Sequence, residues 1–123
     1  MGQTLSYEEY VNIMRNRVSQ GEELRKRRFK EAKGLVERLV KFIYSNYVVD
    51  TIYVFGSILD KDSFRLDSDI DIAVSGLDGD ALGELRAKLL NLGSPYKVDL
   101  IRLEDHNESF QRTVIREGKL IDR

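Results

Sequence analysis

Thr51-Ile-Tyr-Val-Phe-Gly-Ser57 and, after a spacer of eleven residues (Ile58 to Ser68), Asp69-Ile-Asp-Ile-Ala-Val74 are the stretches whose reading decides the fold. The first is short, β-branched and aromatic, and it stops at Gly-Ser, so it reads as a strand running into a tight turn. The second alternates carboxylate with aliphatic before turning to small apolar residues, which reads as a second strand. Side chains two apart on a strand leave the same face, their bases about 6.5–7 Å apart. Asp69 and Asp71 at that separation repel each other unless a cation lies between them. Hard oxygen ligands favour magnesium, with manganese as the alternative, and magnesium leaves coordination positions for phosphate oxygens and water. Asp99 sits inside Lys97-Val-Asp-Leu-Ile101, a third strand. If that strand lies beside the second, its carboxylate joins the other two. Three such acids around one or two cations are the minimum set for two-metal transfer of a nucleotidyl group.

In that chemistry Asp69 and Asp71 are the shared metal ligands, and Asp99 serves the side of the attacking hydroxyl and can take its proton. Gly56 lets backbone approach phosphate closely, and Ser57 adds a hydroxyl and an amide at the start of a short helix. Taken singly, Asp-x-Asp reads as a solvated strand edge and Gly-Ser as an ordinary turn. Their order and spacing carry the reading.

Working outward, Ser6-Tyr-Glu-Glu9 has the form of a capping box. Tyr7, Val11, Met14 and Val18 then recur at helical spacing, and a second stripe runs through Ala32, Leu35, Val36, Leu39, Val40 and Ile43. Residues 6–46 are expected to be helical, with a break or bend near Gly21, where Ser19-Gln-Gly-Glu22 would cap a second helix. Such an arm is longer than a small sheet needs for cover, so part of it is expected to meet a partner chain. Toward the C-terminus, Leu82, Leu85, Leu89 and Leu92 mark a helix stopped by Gly93-Ser94-Pro95. Asn107 caps a last helix through Arg116, Gly118 ends it, and Leu120-Ile121 forms a short final strand. Helix–strand–strand–helix–strand–helix predicts an α/β (α+β) sandwich around a small mixed sheet. Residues 1–46 form an N-terminal helical extension and 47–123 the core.

The chain has 123 residues, 41% hydrophobic and 33% charged, enough apolar material for one folded domain and too much for disorder as the whole answer. The absence of cysteine excludes disulfides and thiolate metal sites, and a single histidine, His106, excludes multi-histidine zinc sites. Nothing in the sequence resembles a signal peptide or an 18-residue apolar span, so a cytoplasmic location without membrane contact is expected. Net charge is −1, yet Arg15 to Lys41 holds ten Lys/Arg against four Asp/Glu, and Phe42 to Arg123 holds ten against fifteen. The two regions are built for different partners, and the overall sign does not favour direct nucleic-acid binding.

The Gly56-Ser57 … Asp69-x-Asp71 pattern, with Asp99 in the next strand, resembles the signature of the polymerase-β-type nucleotidyltransferase superfamily, in particular its minimal nucleotidyltransferase (MNT) branch. The likeness covers roughly Val48 to Ile121 and includes Val98-Asp-Leu-Ile-Arg-Leu-Glu-Asp105 and the helix ending Arg-Glu-Gly118. It implies that Gly56 and Ser57 bind nucleotide phosphates and that Asp69, Asp71 and Asp99 hold two Mg2+ ions with ATP as substrate. Many relatives have ten residues between the serine and the first aspartate, where this chain has eleven. They also carry a basic residue and a second glycine soon after the serine, where this chain has Ile58, Leu59 and Asp60. Lys61 or Arg65 would then meet the triphosphate; exposed loop cations are the equally available reading of both.

Larger members of the superfamily carry an extra domain for their second substrate, and this chain has no room for one. MNT proteins are commonly antitoxins paired with HEPN ribonuclease toxins, which implies AMP transfer from ATP to a toxin tyrosine. The alternatives are nucleotidyl transfer to a small molecule such as an aminoglycoside, or a noncatalytic subunit that neutralises a HEPN partner by occlusion. The HEPN signature Arg-x4-His-x-Tyr is absent from this chain: only three residues separate Arg102 from His106, and Glu108 stands in the tyrosine's place. Homo- or hetero-oligomers would form through the N-terminal helices. His106 reads as a loop or capping residue, and Arg25-Lys-Arg-Arg28 as a solvated helix face. Tyr7, Tyr10, Tyr44, Tyr47 and Tyr53 read as packing residues rather than base-stacking platforms.

Overall fold

The computed structural model describes residues 4–123, so the first three residues of the predicted extension lie outside the described residues. Helix α1 spans Tyr7–Asn46. Ser6 caps it, its hydroxyl accepting from the Glu9 amide at 3.1 Å. The predicted break near Gly21 does not occur, and no second cap forms at Ser19: the helix is continuous through both. Glycine costs a helix interior only about 1 kcal/mol relative to alanine, and the Glu, Arg, Lys and Leu on either side outweigh it.

The two ends of α1 have different surroundings. From Ala32 onward, Leu35, Val36, Leu39, Val40 and Ile43 are buried against the sheet. Residues 4–24 are all exposed except half-buried Val11. Tyr7 is 82% and Tyr10 54% exposed, so the expectation that they pack is overturned. Their stripe is helical in period, but it lies beyond the sheet's edge. Tyr44, Tyr47 and Tyr53 do pack against the core clusters. Two residues of the basic run tie α1 to the body. Arg25 donates to the Lys61 carbonyl at 2.8 Å, and the Arg28 guanidinium lies 5.8 Å from the centre of the Tyr96 ring.

Strands β1 (Thr51–Phe55), β2 (Ile70–Ser75), β3 (Val98–Arg102) and β4 (Lys119–Ile121) form one sheet in the order β3-β2-β1-β4. β1 pairs antiparallel with β2 and β4, and β2 pairs parallel with β3 through α2 (Leu82–Gly93). A parallel neighbour requires such a crossover, because a tight turn can only return the chain antiparallel. Ile52, Val54, Ile70, Ile72, Val74, Val98 and Leu100 point to one face and join α1 and α2 in the main core. The opposite face carries a smaller cluster, Ala73, Leu103 and Val114, under α3 (Glu108–Glu117). Asn107 caps α3, accepting from the Phe110 amide at 2.8 Å. Because α3 covers only part of this second face, the end where β2 and β3 begin stays open.

Candidate active site

The register places the acids. Asp71 is the Cα partner of Phe55 on β1 and of Asp99 on β3. Register partners in a sheet share a face, and adjacent strands lie about 4.8 Å apart. Asp71 and Asp99 therefore stand side by side on the face opposite the main core. Asp69 precedes β2 by one residue and lies two positions from Asp71, on the same side. Asp99 is exposed, and Asp69 and Asp71 are half-buried. Burial, and after it the charges of Asp99 and Asp69, push the Asp71 carboxyl up to about 6. Loss of water around a carboxylate and nearby like charges both favour its protonated form.

Gly56 closes the site from the β1 side. Its φ is +80°, a conformation that L side chains rarely adopt, and a Cβ built on it would run into the Asp71 carboxylate. Glycine is thus required twice at one position, for the backbone angle and for the acid's space. Ser57 follows in a single 3-10 turn, Gly56–Leu59, whose exit is fixed by the Asp60 amide donating to the Ser57 carbonyl at 3.1 Å.

Lys61 and Arg65 belong to the loop between this turn and β2. Asp60 shapes the loop by accepting from the Asp62 amide at 3.0 Å and the Ser63 hydroxyl at 2.9 Å, bonds that hold its carboxyl below its ordinary range. The loop is drawn toward α1 by the Arg25–Lys61 bond and by Phe64, fully buried with its ring centre 5.6 Å from that of Phe29. The structure thus brings Gly56, Asp69, Asp71 and Asp99 together with Ser57 next in the chain, and it places Lys61 and Arg65 on an exposed loop tied to α1.

One group of side chains beside the acids went unread in the sequence. Phe55, the register partner of Asp71, meets Phe110 of α3 edge-on at 6.4 Å, and Phe110 in turn lies against His106 at 4.8 Å with their planes tilted by 35°. The readable signal was Phe55 two residues after Tyr53, at the end of the strand that precedes Gly56; the contact with Phe110 depends on how α3 docks. His106 is exposed, as expected, and its carbonyl accepts from Gln111 Nε2 at 2.7 Å.

Among the described residues, no three His, Asp or Glu side chains are drawn tightly enough to enclose an ion. The donor set still fits magnesium, which keeps several waters and needs only one or two carboxylates from the protein. Such an ion would offset both the burial of the Asp71 carboxylate and its repulsion from Asp99 and Asp69. The site is an open shelf. The larger clefts, about 440 Å³ beside Tyr44 and Ile121 and about 570 Å³ beside Tyr47 and Leu77, are lined by none of the three aspartates.

A Gly-Ser turn leaving one strand, set against carboxylates that open the two strands beyond it on a mixed sheet, defines the nucleotidyltransferases. The chain belongs to the polymerase beta, nucleotidyltransferase family, whose model matches residues 37–122. More particularly, it is similar to solved toxin–antitoxin structures. One, a toxin–antitoxin with AMP-PNP, is 32% identical with a TM-score of 0.58, over 68% of this chain and 69% of that one. Another, the toxin–antitoxin MntA-HepT, is 29% identical with a TM-score of 0.54, over 72% of this chain and 69% of that one. No curated protein matches the chain by sequence. Among the described residues, no helix is long and apolar enough to cross a membrane.

Proposed function

We propose that this protein is an antitoxin that transfers AMP from ATP to a tyrosine of a HEPN-family ribonuclease toxin. The observation that carries this reading is the pairing of Asp71 with Asp99 in register, with Gly56 closed against the Asp71 carboxylate. The likeness to toxin–antitoxin structures, one of them with AMP-PNP, supports the choice of donor and partner. Gly56 and Ser57 receive the triphosphate, and Lys61 and Arg65 are the cations that a shift of their loop would bring nearer to it. Asp69, Asp71 and Asp99 would hold magnesium, which when bound neutralises phosphate charge and acidifies the attacking hydroxyl.

In the transfer, the phenol oxygen forms a bond to the α-phosphorus, the bond from that phosphorus to the bridging oxygen breaks, and pyrophosphate leaves. Asp99, the most exposed of the three acids, accepts the phenol proton, a role that suits a carboxylate only because the phenol's ordinary pKa near 10 falls as it reacts. The product is a capped, negatively charged tyrosine.

Incubation with labelled ATP, Mg2+ and a candidate HEPN-family toxin tests the reading. Label on a toxin tyrosine, lost in Asp69→Ala and Asp71→Ala, is the expected result. Toxin neutralised equally well by both variants, with no label transferred, would assign the chain to occlusion instead.

A further inference from the structure

We infer that the base of the donor nucleotide stacks on the Phe110–His106 ring pair, an assignment that builds on the nucleotidyltransferase reading of the aspartate site. Gly56, Ser57 and the three aspartates recognise phosphates, which every nucleoside triphosphate carries alike, so none of them selects a base. A purine needs a flat apolar surface within reach of the phosphate shelf, and base–aromatic stacking is the usual way to supply it.

Among the described residues, three Tyr or Phe side chains are exposed: Tyr7, Tyr10 and, to a lesser degree, Phe110. The two tyrosines stand at the free end of α1, away from the sheet. Phe110 alone stands on the face that carries the acids. It is 37% exposed, and it meets at right angles the ring of Phe55, whose register partner is Asp71. Phe110 is thus linked to the site by one ring and one strand pairing. His106 lies partly over the Phe110 ring, their centres 4.8 Å apart and their planes tilted by 35°, and its own outer side is open to solvent, so a base can add to the stack. Neither ring is needed to close the core beneath α3, which Val114 and Leu103 fill. Exposed aromatic area at this position has no packing function to explain it, whereas a stacked base would cover it.

The test is calorimetric titration of the full chain with Mg·ATP and, separately, with Mg·tripolyphosphate, which has the phosphates and no base. Phe110→Leu keeps an apolar contact with Phe55 while removing the flat surface, and His106→Ala alters an exposed residue, so both should fold; circular dichroism confirms it. Phe110→Leu is expected to weaken ATP by about 5- to 150-fold, the cost of one lost stack on a base, and to leave tripolyphosphate unchanged. His106→Ala should weaken ATP in the same direction, and Phe110→Tyr should restore the affinity lost in Phe110→Leu. Equal weakening of both ligands, or of neither, would overturn the assignment. So would a loss confined to KM for the protein acceptor, which would make the rings an acceptor site. Failure of the parent protein to bind either ligand, with or without magnesium, would instead count against the underlying nucleotidyltransferase reading.

Discussion

At the residue scale, Gly56 and Asp71 depend on each other. Gly56→Ala forces a Cβ into a positive-φ position and against the Asp71 carboxylate, so the turn or the acid must move. The backbone penalty alone is about 1–2 kcal/mol. We expect a lowered melting temperature together with loss of ATP binding, both read on the same preparation by thermal melting and calorimetry. Asp71 makes a second prediction, in pH. Its carboxyl titrates near 6 in the folded protein against an ordinary value of 3.8, so folding strengthens its hold on a proton. The stability it contributes is complete below pH about 4 and is lost as pH rises through about 6. Asp71→Asn escapes that loss. Because Asp71 is only half-buried, solvent screening reduces the gain to about 1 kcal/mol above pH 7. Urea melts of parent and variant should converge near pH 4 and separate at pH 7.5, with the variant more stable, and added Mg2+ should narrow the gap by stabilising only the parent.

At the element scale, what the sequence could show and what it could not have separate physical causes. Strand positions follow from two-residue alternation: β1 is seen where it was expected, and β2 and β3 shift by one residue. The same period put Asp69 and Asp71 on one side. The placing of Asp99 opposite Asp71 depended on β3 lying beside β2, a tertiary fact that no local pattern contains. The continuity of α1 was missed because a glycine signals a break only where its neighbours are weak helix formers. Tyr7 and Tyr10 were misread for a different reason: a helical stripe shows that one face is apolar, and nothing in it shows whether a sheet extends far enough to cover it. Lys61 and Arg65 sit in a loop whose direction is set by Phe64 and Asp60, contacts formed only after folding. Gly21 offers a test of α1. A Cβ there meets nothing within 4 Å, so Gly21→Ala should strengthen the helix by about 0.5–1 kcal/mol. Hydrogen exchange should slow across residues 7–24, while the global melting temperature barely changes.

For the whole molecule, the division of labour runs along α1. Its second half is a structural layer of the core, and its first 18 residues make no buried contact. Deleting residues 1–24 should therefore leave the melting temperature within about 4 °C of the parent, as for surface changes away from the core. A larger fall in differential scanning calorimetry would mean that the core relies on the arm.

The uninterrupted course of α1 also governs how the protein moves through solvent. Forty residues of helix measure about 60 Å, while four strands side by side span roughly 15–20 Å. A particle of 14.2 kDa with such a spar is far from spherical. It should elute early in gel filtration and give a small-angle scattering profile with a long-distance tail. Nitrogen-15 relaxation should show amides along the spar's axis tumbling differently from those across it.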